Sequence, residues 1–498
     1  MARHPVGLLE RSLLVVLAAL ALLSALLLAR QLTAPVPLTL GGLTVDRLGA
    51  AMALLVATIG AVTYHFALRY LDGEPGQRQF LRWLGFTVAS AYLLMLATNL
   101  ALLFAFWTAT SIGLHQLLTF YGDRAATHPP ARKKLLISRL GDLALLAAIG
   151  LVWQEWGTLD LPLAMAAASA AGPLSPASTA VALLISTAAL TKSAQFPFHS
   201  WLPETMEAPT PVSALMHAGI INAGGVLLLR FAPLLIAAPS ALLLLTVIGA
   251  LTTLIATLTM WTQTTVKRTL AWSTVAQMGF MMIQCGLGAF SVAALHIVGH
   301  GCYKAWSFLR SGELPSIAAP SPIAPLRRLI HVLIGLALAI PALALAAWLT
   351  GFSPWHSPGE LALTAIVAMA LGQLWASSFG TAAARTGAAQ RGALATALLL
   401  GGAGLALGLY RAANLYFAPL FGQLPADTGQ TAWLAALIVI AVYLALTILQ
   451  PLLPLLGGSR LGRALFVHAL HGWYIGVFAD RLVARLWRMA GRAGVTNG

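Results

Sequence analysis

The stretch "TKSAQFPFHSWLPETMEAPTPVSALMHAG" (Thr191–Gly219) follows the apolar run Thr179–Leu190 and contains a lysine, four prolines and two glutamates. A charged side chain at the centre of a membrane costs at least about 2.5–3.5 kcal/mol. Proline cannot continue a helix, because it lacks the backbone N–H and its ring clashes with the preceding turn. Lys192 and the prolines both lower the stability of an apolar helix, so their presence together indicates a functional role for this stretch.

The composition is that of a membrane protein. Of the 498 residues, 59% are hydrophobic and 9% are charged, whereas about a quarter of a soluble domain is charged. Apolar runs of about 20 residues, long enough to cross a bilayer, recur along the chain. The run Ser12–Arg30 ends without a small-residue cleavage site, so we expect a retained helix rather than a signal peptide. The predicted fold class is therefore an all-α polytopic membrane protein.

Short motifs for nucleotide or metal chemistry are missing from the sequence. The patterns GxGxxG, P-loop, paired CxxC and HExxH do not occur. We therefore expect no cofactor, no metal and no catalytic site within this chain.

Fourteen transmembrane helices are predicted from the apolar runs, and the charge of the loops alternates between them. The predicted helices cover residues 12–30, 47–69, 80–97, 99–120, 134–153, 178–196, 211–236, 240–261, 267–288, 290–310, 328–350, 361–383, 392–411 and 431–457. Lysine and arginine concentrate in every second loop, for example at Arg124, Lys133 and Lys134, as is typical of cytoplasmic loops. Both termini are thus predicted to be cytoplasmic, in a bacterial inner membrane. Topology explains the net charge of +15, and no soluble domain is left for nucleic-acid binding.

Three ionisable residues recur at helical spacing in one predicted helix. His296, His300 and Lys304 stand at i, i+4 and i+8, which places them on one face about 6 Å apart along the axis. Because ionisable residues within a membrane are expensive, they are functional candidates by default. The row predicts a polar path through helix 290–310.

Further ionisable residues lie in neighbouring apolar helices: Lys192 ends one helix, His217 lies in the next, and Asp142 lies near the start of an earlier one. An amine in an apolar interior releases its proton more readily than one in water, and histidine titrates near neutral pH. Linked by water, such groups could pass protons along the membrane midplane. A hydrogen bond to a neighbouring helix is the alternative for any single histidine, but the cost of the whole set favours a proton relay.

The prolines after Lys192 predict broken helices. Such breaks persist in a membrane only where protein or a water-filled cavity satisfies the freed backbone groups, and they are typical of ion pathways in transporters. Glu204 and Glu207 are expected at the cytoplasmic mouth, where they would gather protons or hold Lys192. A simple cytoplasmic loop is the alternative for this segment.

The C-terminal tail, residues 459–498, alternates aromatic and apolar residues with arginines at helical spacing. This pattern predicts a basic amphipathic helix on the inner membrane surface or a docking site for a soluble partner. The residues expected to contact a partner are Trp473, Tyr474, Arg481 and Arg485.

Three motifs resemble the large antiporter-like subunits of respiratory complex I and of Mrp-type cation/proton antiporters. They are the opening stretch, "VKRTLAWSTVAQMGF" (Val266–Phe280) and "HIVGHGCYKAWSFL" (His296–Leu309). The resemblance implies inverted repeats with broken helices, and an axis of proton-carrying residues at Lys192, His217, His296, His300 and Lys304. It also implies N-terminal helices over 1–98, a first repeat over 99–236, a second, degenerate repeat over 237–383, C-terminal helices over 384–458 and the tail over 459–498.

Two positions depart from the family pattern. The family carries a glutamate after the tryptophan in the stretch that here reads "NLALLFAFWT" (Asn99–Thr108), so that Thr108 takes the place of the acid. It also carries a buried lysine in the helix that matches 328–350, whereas no lysine follows Lys304 in this chain. Two elements of a complete antiporter-like path are therefore altered.

The loss of the acid raises the question of what Lys192 contacts. We expect it to have found another partner, for which Asp142 and Glu207 are candidates, or to stay neutral. His115, about two helical turns from Thr108, is a further candidate for replacing the acid.

The shortened family pattern, with the tail "HALHGWYIGVFADRLVARLW" (His468–Trp487), is similar to the DabB-type membrane subunits of DAB inorganic carbon transporters. The resemblance implies a large cytoplasmic partner of the DabA type, a zinc protein like a β-carbonic anhydrase, so that the zinc would belong to the partner. The implied function is proton or cation conduction that energises inorganic carbon accumulation by that partner.

Two other functions stay open at the level of the sequence. One is a proton-translocating antiporter subunit of a complex I-like or Mrp-like assembly, which Thr108 and the lost lysine disfavour. The other is a membrane anchor that conducts nothing and only recruits a soluble enzyme. The retained ionisable residues disfavour the anchor, because an anchor would gain stability by losing them.

Overall fold

The apolar runs fold into long helices. The computed structural model describes residues 7–170, 173–313, 324–379, 387–421 and 429–495. The first elements are α1 (Leu8–Thr33), β1 (Leu38–Leu40), β2 (Leu43–Val45), α2 (Arg47–Tyr70), α3 (Gln77–Leu96), α4 (Leu100–Leu118), α5 (His128–Trp156), α6 (Leu161–Ala170) and α7 (Pro176–Lys192). They are followed by α8 (Thr210–Ala218), α9 (Ala223–Arg230), α10 (Ala232–Ile236), α11 (Pro239–Met260), α12 (Val266–Gly286), α13 (Phe290–Leu309), α14 (Pro325–Thr350), α15 (Pro358–Ser378), α16 (Ala388–Phe421) and α17 (Gln430–Leu456). The tail forms α18 (Arg460–Leu470) and α19 (Ile475–Val495).

Eleven candidate membrane spans, long and apolar enough to cross a bilayer, occur within the described ranges. The shorter or more polar helices α7, α12 and α13 lie where transmembrane helices were predicted as well. The all-α, multi-pass fold is thus confirmed. The last four residues of the predicted helix 361–383 lie outside the described residues, and the repeat boundaries stay predictions.

Two short elements escaped the sequence analysis because they are too short to show a period. The antiparallel hairpin β1–β2 pairs Leu38 with Val45, and its two central residues, Gly41 and Gly42, both have positive φ. Positive φ at both positions is what a tight two-residue hairpin requires. The ten-residue helix α6 is the second of these elements.

The prolines interrupt the chain between α7, which ends at Lys192, and α8, which begins at Thr210, but the helix predicted over 211–236 has a further break that no proline causes. Pro211 lies in the first turn of α8, where a missing N–H costs nothing. The break comes later, at the 3-10 turn Ile220–Asn222 that separates α8 from α9. Side chains satisfy the freed carbonyls: Asn222 donates to Ala218 O at 2.7 Å, and Ser193 donates to Ile221 O at 2.8 Å. The segment is therefore a buried, hydrogen-bonded break of the kind that membranes tolerate.

A glycine lets α13 approach this break closely. A Cβ atom added to Gly301 would lie 2.8 Å from the carbonyl oxygen of Ala218, so only glycine fits between the two helices. At the other end of the broken segment, Arg230 is hydrogen-bonded to Asp46 and donates to Met95 O at 3.0 Å. α8 thus packs between α2 and α13, and α9 packs against α7 and α13.

The tail is two helices rather than one. α18 and α19 are joined by the 3-10 turn Gly472–Tyr474, in which Trp473 and Tyr474 have positive φ of 57° and 60°. These two residues were expected to lie on the amphipathic helix, and that expectation is wrong. They form the corner, because left-handed backbone at consecutive residues ends a right-handed helix.

Candidate proton-transfer site

Lys192 ends α7 with its ammonium group against α4. Its Nζ atom donates to the carbonyl oxygen of Trp107 and to the hydroxyl of Thr110, each at 3.1 Å. The same atom lies 4.3 Å from the centroid of the Trp107 ring, within range of a cation–π interaction. Among the described residues, no carboxylate oxygen lies within 4.0 Å of Lys192.

Neither of the two candidate partners of Lys192, Asp142 and Glu207, is therefore paired with it. Asp142 is 6% exposed and reaches the lysine only through Trp107, whose Nε1 donates to Asp142 Oδ1 at 3.0 Å. Its other oxygen pairs with Arg139 at 2.7 Å. Glu207 pairs with Arg124 at 3.4 Å near the surface. Asp142 thus stands one residue away from the amine, and Glu207 lies outside the site.

The altered position Thr108 provides no replacement for the missing acid. Its buried hydroxyl has no hydrogen-bond partner among the residues that the structure describes, and the same holds for the buried Nδ1 atom of His115. The hydrogen-bond acceptors of the Lys192 amine are instead the carbonyl oxygen of Trp107 and the hydroxyl of Thr110.

A second buried amine lies on α13. Lys304 is fully buried, and its Nζ atom donates to Leu270 O at 2.9 Å and to Ser273 Oγ at 2.8 Å, both on α12. It resembles Lys192 in that one carbonyl and one hydroxyl accept hydrogen bonds from the amine. No described carboxylate oxygen lies within 4.0 Å of its Nζ atom.

Three histidines lie near Lys304 and form a cluster with it. The rings of His296 and His300 are 5.8 Å apart, which confirms their predicted place on one face of α13. His296 Nδ1 is hydrogen-bonded to Gln284 at 2.8 Å, and His217 of the broken segment stacks on Phe308 of α13 at 4.4 Å. The structure therefore brings together four of the predicted residues: His217, His296, His300 and Lys304.

Two of these histidines are buried with free ring nitrogens. Neither nitrogen of His217, which is fully buried, nor of His300, which is 6% exposed, has a hydrogen-bond partner within the described part of the chain. Buried polar atoms in proteins are nearly always hydrogen-bonded, to ordered water if not to protein. The cluster thus offers donors and acceptors that suit a chain of water molecules carrying protons.

A fourth histidine, His199, was missed by the sequence analysis although it lies in the opening stretch. It is 1% exposed, both its ring nitrogens are free among the described residues, and its ring lies 5.5 Å from that of Trp272. Burial, and to a lesser extent the charge of Lys133, lowers the pKa of His199 to about 4. A histidine between a proline and a tryptophan in an apolar stretch was the available signal.

Lys133 was assigned to a loop and Lys134 to the boundary between that loop and the helix 134–153, and the structure corrects this: both lie inside α5 and are buried. Lys133 is fully buried and pairs with two carboxylates from distant segments. A carboxylate oxygen of Glu204 and one of Asp480 on α19 each lie 2.7 Å from the Nζ atom of Lys133. Burial raises the pKa of the Glu204 carboxyl, and the charge of Lys133 opposes that shift. We call these three residues the tail clasp.

The tail clasp is reinforced by contacts on either side of it. The guanidinium of Arg132 lies 4.8 Å from the ring of Trp487, and Gln263 donates to Leu470 O at 3.4 Å. A Cβ atom on Gly472 would lie 3.0 Å from Trp272, the residue beside His199. The tail is thus attached next to the 3-10 turn Leu202–Glu207, which lies between α7 and α8.

The outer face of the tail is apolar and basic. On α19, Phe478 is 68% and Leu482 59% exposed, and the predicted docking residues Arg481 and Arg485 are exposed as well. Of the two turn residues, Tyr474 is exposed and stacks on His471, whereas Trp473 has a buried indole nitrogen.

Comparison with known proteins gives a family match over the region that holds both buried amines. Residues 97–385 match the NADH:quinone oxidoreductase/Mrp antiporter transmembrane family. The chain is 38% identical over 461 residues to a protein of Halothiobacillus neapolitanus named "Probable inorganic carbon transporter subunit DabB2", covering 90% of this chain and 81% of that one.

Two further relatives match a smaller share of their own length. A protein of Hydrogenovibrio crunogenus named "Probable inorganic carbon transporter subunit DabB" is 40% identical over 270 residues, covering 54% of this chain and 52% of that one. In the solved structure of the Mrp complex from Dietzia sp. DQ12-45-1b, one chain aligns with 98% of this chain at 25% identity, with a TM-score of 0.63. This chain spans 60% of that Mrp chain.

The buried state of His199 predicts an acid-sensitive stability. Its pKa is about 4 in the folded chain, against 6.5 without burial. Between these values the unfolded chain binds a proton that the folded chain does not, so stability falls as the pH is lowered through this window. His199→Gln is expected to flatten the fall of the thermal unfolding midpoint between pH 7 and pH 5, measured in detergent micelles.

The matched control is His356→Gln, because the side chain of His356 is 71% exposed. This variant should keep the wild-type slope. A wild-type slope in His199→Gln as well would show that His199 is not held neutral by burial.

The tail clasp predicts that Asp480 holds α19 in place. Asp480→Asn leaves Lys133 with Glu204 alone, and the loss of a partly exposed pair costs about 1 kcal/mol, or about fivefold in a local opening equilibrium. Amide hydrogen exchange of α19 in lipid nanodiscs should therefore become about fivefold faster. Asp123→Asn, which changes an exposed carboxylate in a loop, should leave the exchange unchanged. Equal exchange in both variants would contradict the clasp.

Proposed function

We propose that this chain, which belongs to the NADH:quinone oxidoreductase/Mrp antiporter transmembrane family and within it to the DabB-type subunits, conducts protons across a bacterial inner membrane. The proton flow energises inorganic carbon accumulation, as CO2 or bicarbonate, by a soluble partner. Both termini face the cytoplasm in this proposal, and the partner binds on that side.

The observation that carries the proposal is a pair of amines inside the bundle, half-buried at Lys192 and fully buried at Lys304. Lys192 and Lys304 each donate to a backbone carbonyl and a hydroxyl, and no described carboxylate lies within 4.0 Å of either. A buried ammonium without a counter-charge is strongly destabilising, so a chain that only anchored a partner would lose it. The carbonyl and the hydroxyl both accept hydrogen bonds from the charged ammonium, and the hydroxyl can also donate to the neutral amine. Such an amine is suited to bind and release protons.

The proton path is proposed to run between these amines by way of the histidines. The ring nitrogens of His217, His300 and His199, which have no hydrogen-bond partner among the described residues, supply relay positions for water. Asp142 holds Trp107 beneath Lys192, and Glu204 stands at the end of the path where the tail is attached.

The tail is the proposed docking site of the partner. Its exposed arginines, Arg481 and Arg485, and its exposed apolar residue Phe478 favour a protein surface that is acidic at its rim and apolar at its centre. By its relationship to DabB-type subunits, the partner is proposed to be a large zinc protein of the DabA type, like a carbonic anhydrase. In this proposal the zinc chemistry belongs entirely to the partner.

A second candidate is a cation/proton antiporter subunit of an Mrp-like assembly. The extent of the alignment with the Mrp chain, 98% of this chain, favours it. The lack of an acid at Thr108 and of any lysine after Lys304 counts against it.

Purification from the native host tests the partner. The tagged chain is expected to copurify with a large soluble protein that contains about one zinc per chain, measured by mass spectrometry and by metal analysis of the complex. Copurification with quinone-reducing or Mrp-type subunits instead would contradict the carbon-transport proposal and favour the second candidate.

Loss of the amine of Lys192 tests the conduction. Lys192→Ala is expected to lower inorganic carbon uptake that depends on the membrane potential by about a hundredfold, because a proton-transfer group contributes about 10²–10⁴-fold. Uptake is measured in cells that depend on this chain, and assembly is checked by copurification of the partner.

Arg328→Gln, which changes an exposed arginine at the start of α14, is the control and should retain uptake. If Lys192→Ala assembled and took up carbon at the wild-type rate, Lys192 would be a structural residue only.

A further inference from the structure

We propose that Lys134, together with Ser111, forms a second proton-carrying site on α4, beside that of Lys192, and that the two amines exchange one proton. This inference rests on the proposed proton conduction. Lys134 comes from α5 and Lys192 from α7, so the two amines reach α4 from different helices.

The environment of Lys134 is that of a transfer group rather than of a paired charge. It is 3% exposed, and its Nζ atom donates to the carbonyl oxygen of Ser111 at 2.7 Å and to the hydroxyl of Ser111 at 2.8 Å. No carboxylate oxygen of the described residues lies within 4.0 Å of it, whereas its neighbour Lys133 has two. Adjacent lysines on one helix thus have opposite surroundings.

The two amines bind consecutive residues of α4. Lys134 donates to Ser111 and Lys192 donates to Thr110, both through hydroxyl groups. A hydroxyl both donates and accepts. Consecutive side chains on a helix do not face each other, so in this proposal a bridging water links the two hydroxyls and hands the proton on. In that step the ammonium of Lys134 becomes an amine and the amine of Lys192 becomes an ammonium, which balances without any other reactant.

The charges around the pair favour a single proton on it. Lys192, Arg139, Asp142 and His115 are the ionisable groups close enough to interact with Lys134. Arg139 and Asp142 form an ion pair with each other at 2.7 Å, which largely cancels their fields. Two ammonium groups in one low-dielectric region repel each other, so a proton that arrives at one amine drives the other to release its own.

A purely structural role does not account for this arrangement. A link between α5 and α4 needs one hydrogen-bond donor, which an uncharged amide would supply at a smaller desolvation cost than a lysine. What lysine adds at this place is a proton that can leave.

Replacing Lys134 by arginine tests whether residue 134 must release its proton or only supply a positive charge. Lys134→Arg keeps the positive charge and the donors, but the guanidinium does not release its proton. We expect Lys134→Arg and Lys134→Gln to lower proton flux by at least about tenfold. Flux is measured with a pH-sensitive dye in liposomes that contain the full chain, with its copurifying partner, under a potassium-diffusion potential.

Ser111→Ala is the second variant, since it removes only one hydroxyl and leaves the carbonyl acceptor of Lys134 in place. It is expected to lower flux by at least about tenfold as well, while the thermal unfolding midpoint stays near that of the wild type. Arg328→Gln serves again as the control with wild-type flux.

The outcomes distinguish this inference from the function on which it rests. Wild-type flux in Lys134→Arg or in Ser111→Ala, with flux lost in Lys192→Ala, overturns the second site and leaves the proposed conduction standing. No flux in the wild-type chain overturns both. Flux lost in Lys134→Arg, Ser111→Ala and Lys192→Ala, but kept in Arg328→Gln, supports the shared proton.

Discussion

The centre of this bundle is organised around two amines, those of Lys192 and Lys304, that have no carboxylate oxygen within 4.0 Å in the part of the chain that the structure describes. An ammonium group in an apolar interior must find acceptors, or it must lose its proton. Lys192 and Lys304 each find one carbonyl and one hydroxyl. Carbonyl acceptors stabilise the charged form without fixing it as a carboxylate would, and this leaves the proton free to move.

The tail clasp shows the contrasting case in the same protein. Lys133 is as deeply buried as Lys304, yet two carboxylates hold it, one of them on α19. A buried amine paired twice is a fixed charge, and its use here is to attach the tail beside Glu204. The chain thus separates a lysine that two carboxylates hold in place from the lysines that we propose to carry protons. Lys133 and Lys134 are adjacent on α5 but differ in their surroundings, because Lys133 faces Glu204 and α19 whereas Lys134 faces α4.

Sequence reasoning was accurate where one helix sufficed and wrong where several helices meet. The row on α13 follows from a spacing of four residues, and the structure confirms it. Neither candidate ion pair of Lys192 is present, and nothing in the spacing shows that Trp107 stands between the lysine and Asp142. The prolines marked only the interruption between α7 and α8; the further break at Ile220–Asn222 contains no proline and had no signal in the sequence.

The sequence by itself determined the membrane class, the all-α fold and which residues are too costly to be accidental. These depend on composition and on local periodicity, which a single chain segment carries. Only the tertiary structure decided which acceptor each lysine meets, that Lys133 and Lys134 are buried, and that the tail is attached beside Glu204. Those outcomes depend on contacts between residues far apart in the chain, such as Lys133 and Asp480. The free energy of a buried charge is set by these contacts and not by its neighbours in sequence.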